Sequence, residues 1–287
     1  MSLAQLIPIA MSISLFIVVF VLGTKTRLED LSFLLRHPGL LIRSIVAMNV
    51  IMLVFVVALS QMFDLNPTIK IALVALAVSP VPPLLPSKQI KAGGAANYAV
   101  GLLAAASLVA IVLVPVSIEL MEYVFPFELH ISAGTITSIL VLSVLVPLVS
   151  GIAIGGFAPA FAQRCAPYLS TAGTVLLLAA LIPSLVKAWP AFSGLFSQGV
   201  LLCLVLFSLV GLAVGHLMGG PVPTDRTVLA LATATRHPSI AMAIATLNFP
   251  DQRAVLALII YHLVVASVVS LPYLRWRTRE HGAVGPA

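Results

Sequence analysis

Nine apolar stretches of about twenty residues, the length that crosses a bilayer as a helix, follow one another along this chain. They fall at about 5–23, 40–60, 68–87, 96–119, 134–156, 168–187, 195–218, 227–248 and 254–274. Only 8% of the residues are charged and 61% are hydrophobic, with mean hydropathy +1.16. An ordinary soluble domain is about a quarter charged. The pattern predicts an all-α polytopic membrane protein, a single transmembrane domain over 1–287 with no soluble domain between spans. No basic segment precedes the first run, so 5–23 is expected to be a retained span and not a cleaved leader.

Two of the nine runs are unusual. The third ends in "SPVPPLLPSK", with Pro80, Pro82, Pro83 and Pro86 close together. The eighth reads "ALATATRHPSIAMAIATL" and carries Arg236 and His237 directly before Pro238. Proline removes a backbone donor and clashes with the preceding turn, so both runs should be broken helices. Broken backbone at membrane depth is tolerated only inside protein or beside a cavity. Interrupted spans at matching positions of two halves point to a transporter's binding site. Here each break is followed by one further apolar run. The halves would be about 1–125 and an inverted 130–280.

Charge sets the expected orientation. With the N-terminus outside, the inner loops hold Lys25, Arg27, Arg36, Arg43, Lys88, Lys91, Arg164, Arg226, Arg275, Arg277 and Arg279. The outer side holds Lys70, Lys187 and Arg253, with the acidic Glu119, Glu122 and Glu128. This asymmetry follows the positive-inside rule and places the C-terminus in the cytoplasm of a cell (inner) membrane protein.

The order of these motifs resembles the bile acid:sodium symporter family over nearly the whole chain. "LGTKTRLEDLSFLLRHPGLLIRSIVAMNVIM" (22–52), "LNPTIKIALVALAVSP" (65–80), "PTDRTVLALATATRHPSIAMAIATLNFP" (223–250) and "YHLVVAS" (261–267) carry the resemblance. It implies a panel domain and a core domain, with two discontinuous helices crossing in the core. Some members have ten spans and others lack the first, which matches nine here. The resemblance also implies alternating access and sodium coupling through hydroxyl, amide and carboxylate side chains and the carbonyls of unwound turns.

Those ligand positions are altered. The family's Ser-Asn pair falls on Leu85 and Pro86, its two hydroxyls near Ala99 and Leu103, and its Gln near Met48. Its Glu falls on Ala232, and its Gln-Asn pair on Arg236 and His237. A guanidinium repels Na⁺, and an isolated charge at this depth costs several kcal/mol unless paired or hydrated. The expectation is a sodium-independent carrier of small organic anions, with Arg236 supplying fixed positive charge. Arg suits a carboxylate because its planar fork can bond in bidentate fashion. Candidate substrate-binding residues are Arg236, His237, Lys88, Ser87, Thr235, Ser239, Asn97 and His262, with Pro80, Pro82, Pro83, Pro86 and Pro238 shaping the breaks. Three alternatives stay open. Arg236 could bond the free carbonyls of its own broken helix. The chain could be an ordinary sodium symporter. His237 or His262 could carry a coupling proton, since an ordinary histidine titrates near pH 6.5.

Other classes are disfavoured. An intramembrane enzyme would need a carboxylate pair or a nucleophile with its base, and no span carries that pattern. Cys165 and Cys203 lie in or beside apolar runs, so neither a disulfide framework nor a cysteine metal site is expected. No cofactor is implied. The net charge of +6 lies between apolar runs, where it orients the chain in the lipid bilayer and does not indicate nucleic acid.

Overall fold

The fold is taken from a computed structural model that describes residues 3–124, 133–248 and 253–283. Glu128 lies outside these residues. Among them seven helices are long and apolar enough to cross a membrane, and Ile9–Gly23 and Pro67–Val78 are shorter apolar helices. The protein is therefore all-α and multi-pass, and each of the nine apolar runs has a helical counterpart.

Helix α1 is Leu3–Gly23 and α2 is Pro38–Met62. Between them lie two single turns, Leu28–Leu31 and Phe33–Arg36. The third run divides into α3 (Pro67–Val78) and α4 (Leu85–Lys91), followed by α5 (Ala96–Glu122). Helix α6 is built from Ala133–Leu140, a π turn at Val141–Leu145, and Val146–Phe157. Then come α7 (Pro159–Ser193) and α8 (Val200–Met218). The eighth run divides into α9 (Pro223–Ala234) and α10 (Pro238–Asn248), and the chain closes with α11 (Arg253–Val269) and α12 (Leu271–Ala283).

Two boundaries differ from the sequence expectation. Helix α7 runs 35 residues and continues through Pro167, Pro183 and Pro190, whereas 168–187 was expected. Proline is tolerated in a membrane helix when hydroxyls or neighbouring helices satisfy the freed backbone. Here α7 lies against α1, α6 and α11, and along the helix Thr171 and Ser184 donate to the Pro167 and Ala180 carbonyls at 3.0 Å and 2.8 Å. The last run, expected at 254–274, is divided at Ser270 into α11 and α12, and "RWRTRE" lies within α12.

The helices form two groups. Helix α1 packs against α6 and α7, and this trio touches the rest mainly along α7–α11 and α5–α6. The remaining helices surround the two broken ones. From Ile71 to Val78 every residue of α3 is buried, and so is every residue of α9 from Thr227 to Ala234. A helix apolar on all sides is stable only when wrapped by others. By contrast α7 buries a narrow stripe of small residues, Ala162, Ala166, Gly173 and Ala180, together with Phe192.

Small residues bring the helices close, as lipid gives no hydrophobic drive for helices to associate. Along α8, Gly211 and Gly215 face α9 so tightly that an added methyl would lie 2.7 Å and 2.4 Å from the Thr233 and Leu229 carbonyl oxygens. Gly151 and Gly155 do the same for α1: a methyl would lie 2.2 Å from the Phe20 oxygen and 2.6 Å from that of Thr24. Gly156, beside them, faces open space.

This contrast predicts that Gly215→Ala costs about 1–3 kcal/mol by overpacking. Gly156→Ala should stay within about 0.5 kcal/mol of the parent. Thermal unfolding of the detergent-solubilised variants, compared side by side, checks both.

Candidate functional site

The two breaks meet. Helix α3 ends at Ser79, which is extended (φ −75°, ψ 143°), and α9 ends at Thr235, also extended (φ −122°, ψ 140°). Beyond these points lie Pro80–Leu84 and Arg236–His237. The His237 N–H donates to the Pro80 carbonyl at 2.8 Å, so each unwound strand satisfies the other. The His237 carbonyl in turn accepts the Ala241 N–H at 3.2 Å and opens α10. Pro238 is the first residue of α10, where its missing N–H costs nothing. Pro86 sits likewise in the first turn of α4, while Pro80, Pro82 and Pro83 occupy the unwound stretch. On one side of the crossing α3 packs against α10 and α11; on the other α4 packs against α9.

Arg236 is fully buried at this junction. One terminal nitrogen donates to the Met48 carbonyl at 2.5 Å and the other to the Ser79 carbonyl at 3.4 Å. Met48 lies in a π turn of α2, Val46–Ile51. Such a turn departs from the α-helical hydrogen-bond ladder and is common at functional sites. The guanidinium carbon also stands 5.8 Å from the centroid of the Phe207 ring on α8. Thus Arg236 ties the second break to the first break, to α2 and to α8. It bonds carbonyls, as one sequence alternative held, but those of other helices. Among the described residues no carboxylate pairs with it.

Around the guanidinium several buried atoms lack partners. Arg236 Nε, both ring nitrogens of His237 and both of His262 make no hydrogen bond in the structure. His262, on α11, is fully buried and meets the Phe207 ring edge-on at 5.2 Å. Phe207 therefore neighbours both Arg236 and His262. Thr235 and Ser239 flank the pair and are half-buried.

The other candidates lie on separate elements. Lys88 is exposed on α4 and donates to Ser267 of α11 at 3.2 Å; Ser87, beside it, is half-buried. Asn97 opens α5 and accepts the Tyr98 N–H at 2.8 Å. The arrangement brings Arg236, His237 and His262 to the crossing, whereas the contacts of Lys88 and Asn97 are made outside it.

Sequence reasoning missed the part played by four members of the junction. Gln89, fully buried, donates to the Val228 carbonyl at 2.7 Å and braces α4 against α9. A lone amide between two lysines at the end of an apolar run was its available signal. Ser79 and Met48 contribute backbone oxygens, which leave no trace in residue type. Phe207 is indistinguishable in sequence from any other apolar residue of its span.

A family model described as Sodium Bile acid symporter family matches residues 12–192, from within α1 into α7. That match includes the first broken helix and ends before the second. No curated protein matches the chain. Since the family model covers well over half of its residues, the chain belongs to the sodium bile acid symporter family.

Proposed function

We propose that this chain is a secondary carrier of small organic anions that works by alternating access without sodium, in a cell membrane with its N-terminus outside. One observation carries the reading: the crossing of the broken helices holds a fully buried guanidinium that takes up backbone carbonyl oxygens and has no carboxylate beside it among the described residues. Carbonyls of unwound turns are hard oxygen donors of the kind a small cation seeks. With Arg236 already on them, a mobile cation would meet both an occupied site and a like charge.

Magnitudes separate a stabilising role from a functional one. Burying the charge costs several kcal/mol. Hydrogen bonds to a charged group return about 1.5–3 kcal/mol each, and a cation over an aromatic face adds about 1–2. These terms nearly cancel, so Arg236 contributes little net stability. What remains is an uncompensated positive charge in a poorly screened interior. At an effective dielectric near 20, a unit charge about 6 Å from an anion is worth about 3 kcal/mol, roughly a hundredfold in affinity. Arg236 is closed off in the conformation described, so it acts on substrate through its field. The half-buried Thr235 and Ser239 supply contacts in this conformation; His237 and His262, buried like Arg236, offer their hydrogen-bonding nitrogens only when alternating access opens the crossing. Lys88 and Ser87 on α4, and Asn97 on α5, would add polar groups along the approach.

A second reading rests on the two histidines alone. Their ring nitrogens are buried without partners, and an anion bound beside them would offset the repulsion between the Arg236 guanidinium and an added proton, so that proton and anion would travel together.

Three outcomes are expected. A thermal-shift screen of small carboxylates and sulfonates should find stabilising anions, and replacing sodium by choline at equal ionic strength should leave that stabilisation unchanged. Sodium-dependent anion uptake into proteoliposomes would overturn the proposal. Arg236→Gln should fold with a change of about 1 kcal/mol or less, yet bind the anion found in the screen roughly a hundredfold more weakly, as isothermal titration would read. Under the proton reading, uptake driven by an imposed pH gradient should vanish in His262→Gln while counterflow exchange persists.

A further inference from the structure

A second cationic site lies on the edge of the molecule, apart from the crossing. The turn between α8 and α9 folds back on itself at Gly219 and Gly220. A methyl on Gly219 would meet the Arg226 backbone at 2.5 Å, and Gly220 takes φ +83°, a conformation that favours glycine. Arg226 Nε donates to the Gly220 carbonyl at 2.6 Å, which fixes its guanidinium over the turn. Arg43, from the first turns of α2, reaches the same glycine: a methyl there would lie 2.9 Å from one of its terminal nitrogens. Two guanidiniums thus converge on one turn.

Neither is neutralised. Among the described residues the Arg43 side chain makes no hydrogen bond or ion pair, and the Arg226 side chain makes only its bond to Gly220. Of the neighbouring acids, Glu280 pairs with Arg277, and Asp225 forms no ion pair with either guanidinium among the described residues. The rim of the corner is apolar and exposed, with Ile42 60%, Leu217 79% and Val222 46% accessible. All three stand at the ends of membrane-length helices or in the turn joining them, the level of the lipid headgroups.

We propose that the corner formed by Arg43, Gly220 and Arg226 binds the phosphate of an anionic phospholipid. A planar guanidinium matches a phosphate in bidentate fashion, and basic pockets between membrane helices take lipid headgroups. The apolar rim distinguishes a lipid from a free phosphate, because acyl chains would cover Ile42, Leu217 and Val222. The site joins α2 to the α8–α9 turn, so a bound lipid would tie α2 to the segment that leads into the second broken helix.

The full-length protein is titrated in detergent with phosphatidylglycerol and, separately, phosphatidylcholine, and bound lipid is counted by native mass spectrometry. The parent should prefer phosphatidylglycerol. Arg43→Gln should bind it about fivefold more weakly, with phosphatidylcholine unaffected. Arg43→Lys, which keeps the charge, should retain most of the preference. Arg164→Gln, which removes an exposed arginine from α7, should behave like the parent. Equal binding by Arg43→Gln and the parent overturns the proposal, and so does an equal loss in Arg164→Gln, which would mark a diffuse surface effect. Protection of the protein against heat by inorganic phosphate, with none from phosphatidylglycerol, would assign the corner to a free anion and overturn the lipid reading.

Discussion

Everything in the centre of this protein depends on one backbone hydrogen bond, from the His237 N–H to the Pro80 carbonyl. Prolines open two helices at membrane depth, and an unwound backbone there would cost several kcal/mol for each unsatisfied group. The two openings answer each other. Arg236 then satisfies Ser79 and Met48 on the same junction, and Gln89 satisfies Val228 one half-helix away. The broken helices are tolerable because they are broken at the same place. Neither could exist alone in lipid.

The close packing around the junction follows from it. A polar crossing must be kept from lipid on all sides, so α3 and α9 are wrapped completely. Gly211 and Gly215 let α8 lie directly on the α9 backbone, which brings Phe207 against Arg236 and His262. The chemistry of the site is therefore set by glycines that touch no substrate. Arg236 has no counter-ion among the described residues, and its partners are dipoles. Dipoles soften the cost of the charge but leave its sign intact, and that sign is what an anionic ligand would feel.

The helices and both breaks were legible in the sequence because hydropathy and proline carry direct physical meaning in a bilayer. So was the anomaly of Arg236, a charge without a carboxylate in any neighbouring span. Its partners were not legible. They are main-chain oxygens 157 and 188 residues away in sequence, and no residue type announces them. Met48 illustrates the limit. The sequence marked it as a lost amide ligand, while the structure shows its carbonyl, set by a π turn, receiving the arginine. Gln89 went unnoticed for the opposite reason: between Lys88 and Lys91 it looked like part of a solvated edge. The length of α7 was misread because its prolines and nearby charges imitate helix ends.

That long helix has a mechanical consequence. At 35 residues α7 extends about 52 Å, well beyond a hydrocarbon layer of about 30 Å. No ordinary tilt absorbs such a surplus, so its ends stand in the headgroup layers on both faces. With α1 and α6 packed along it, this trio is keyed to the thickness of the bilayer. The broken helices belong to the other group and have no such anchor. Thinning or thickening the membrane would therefore act first on the trio, and the junction of the broken helices would feel it through the seam between α7 and α11.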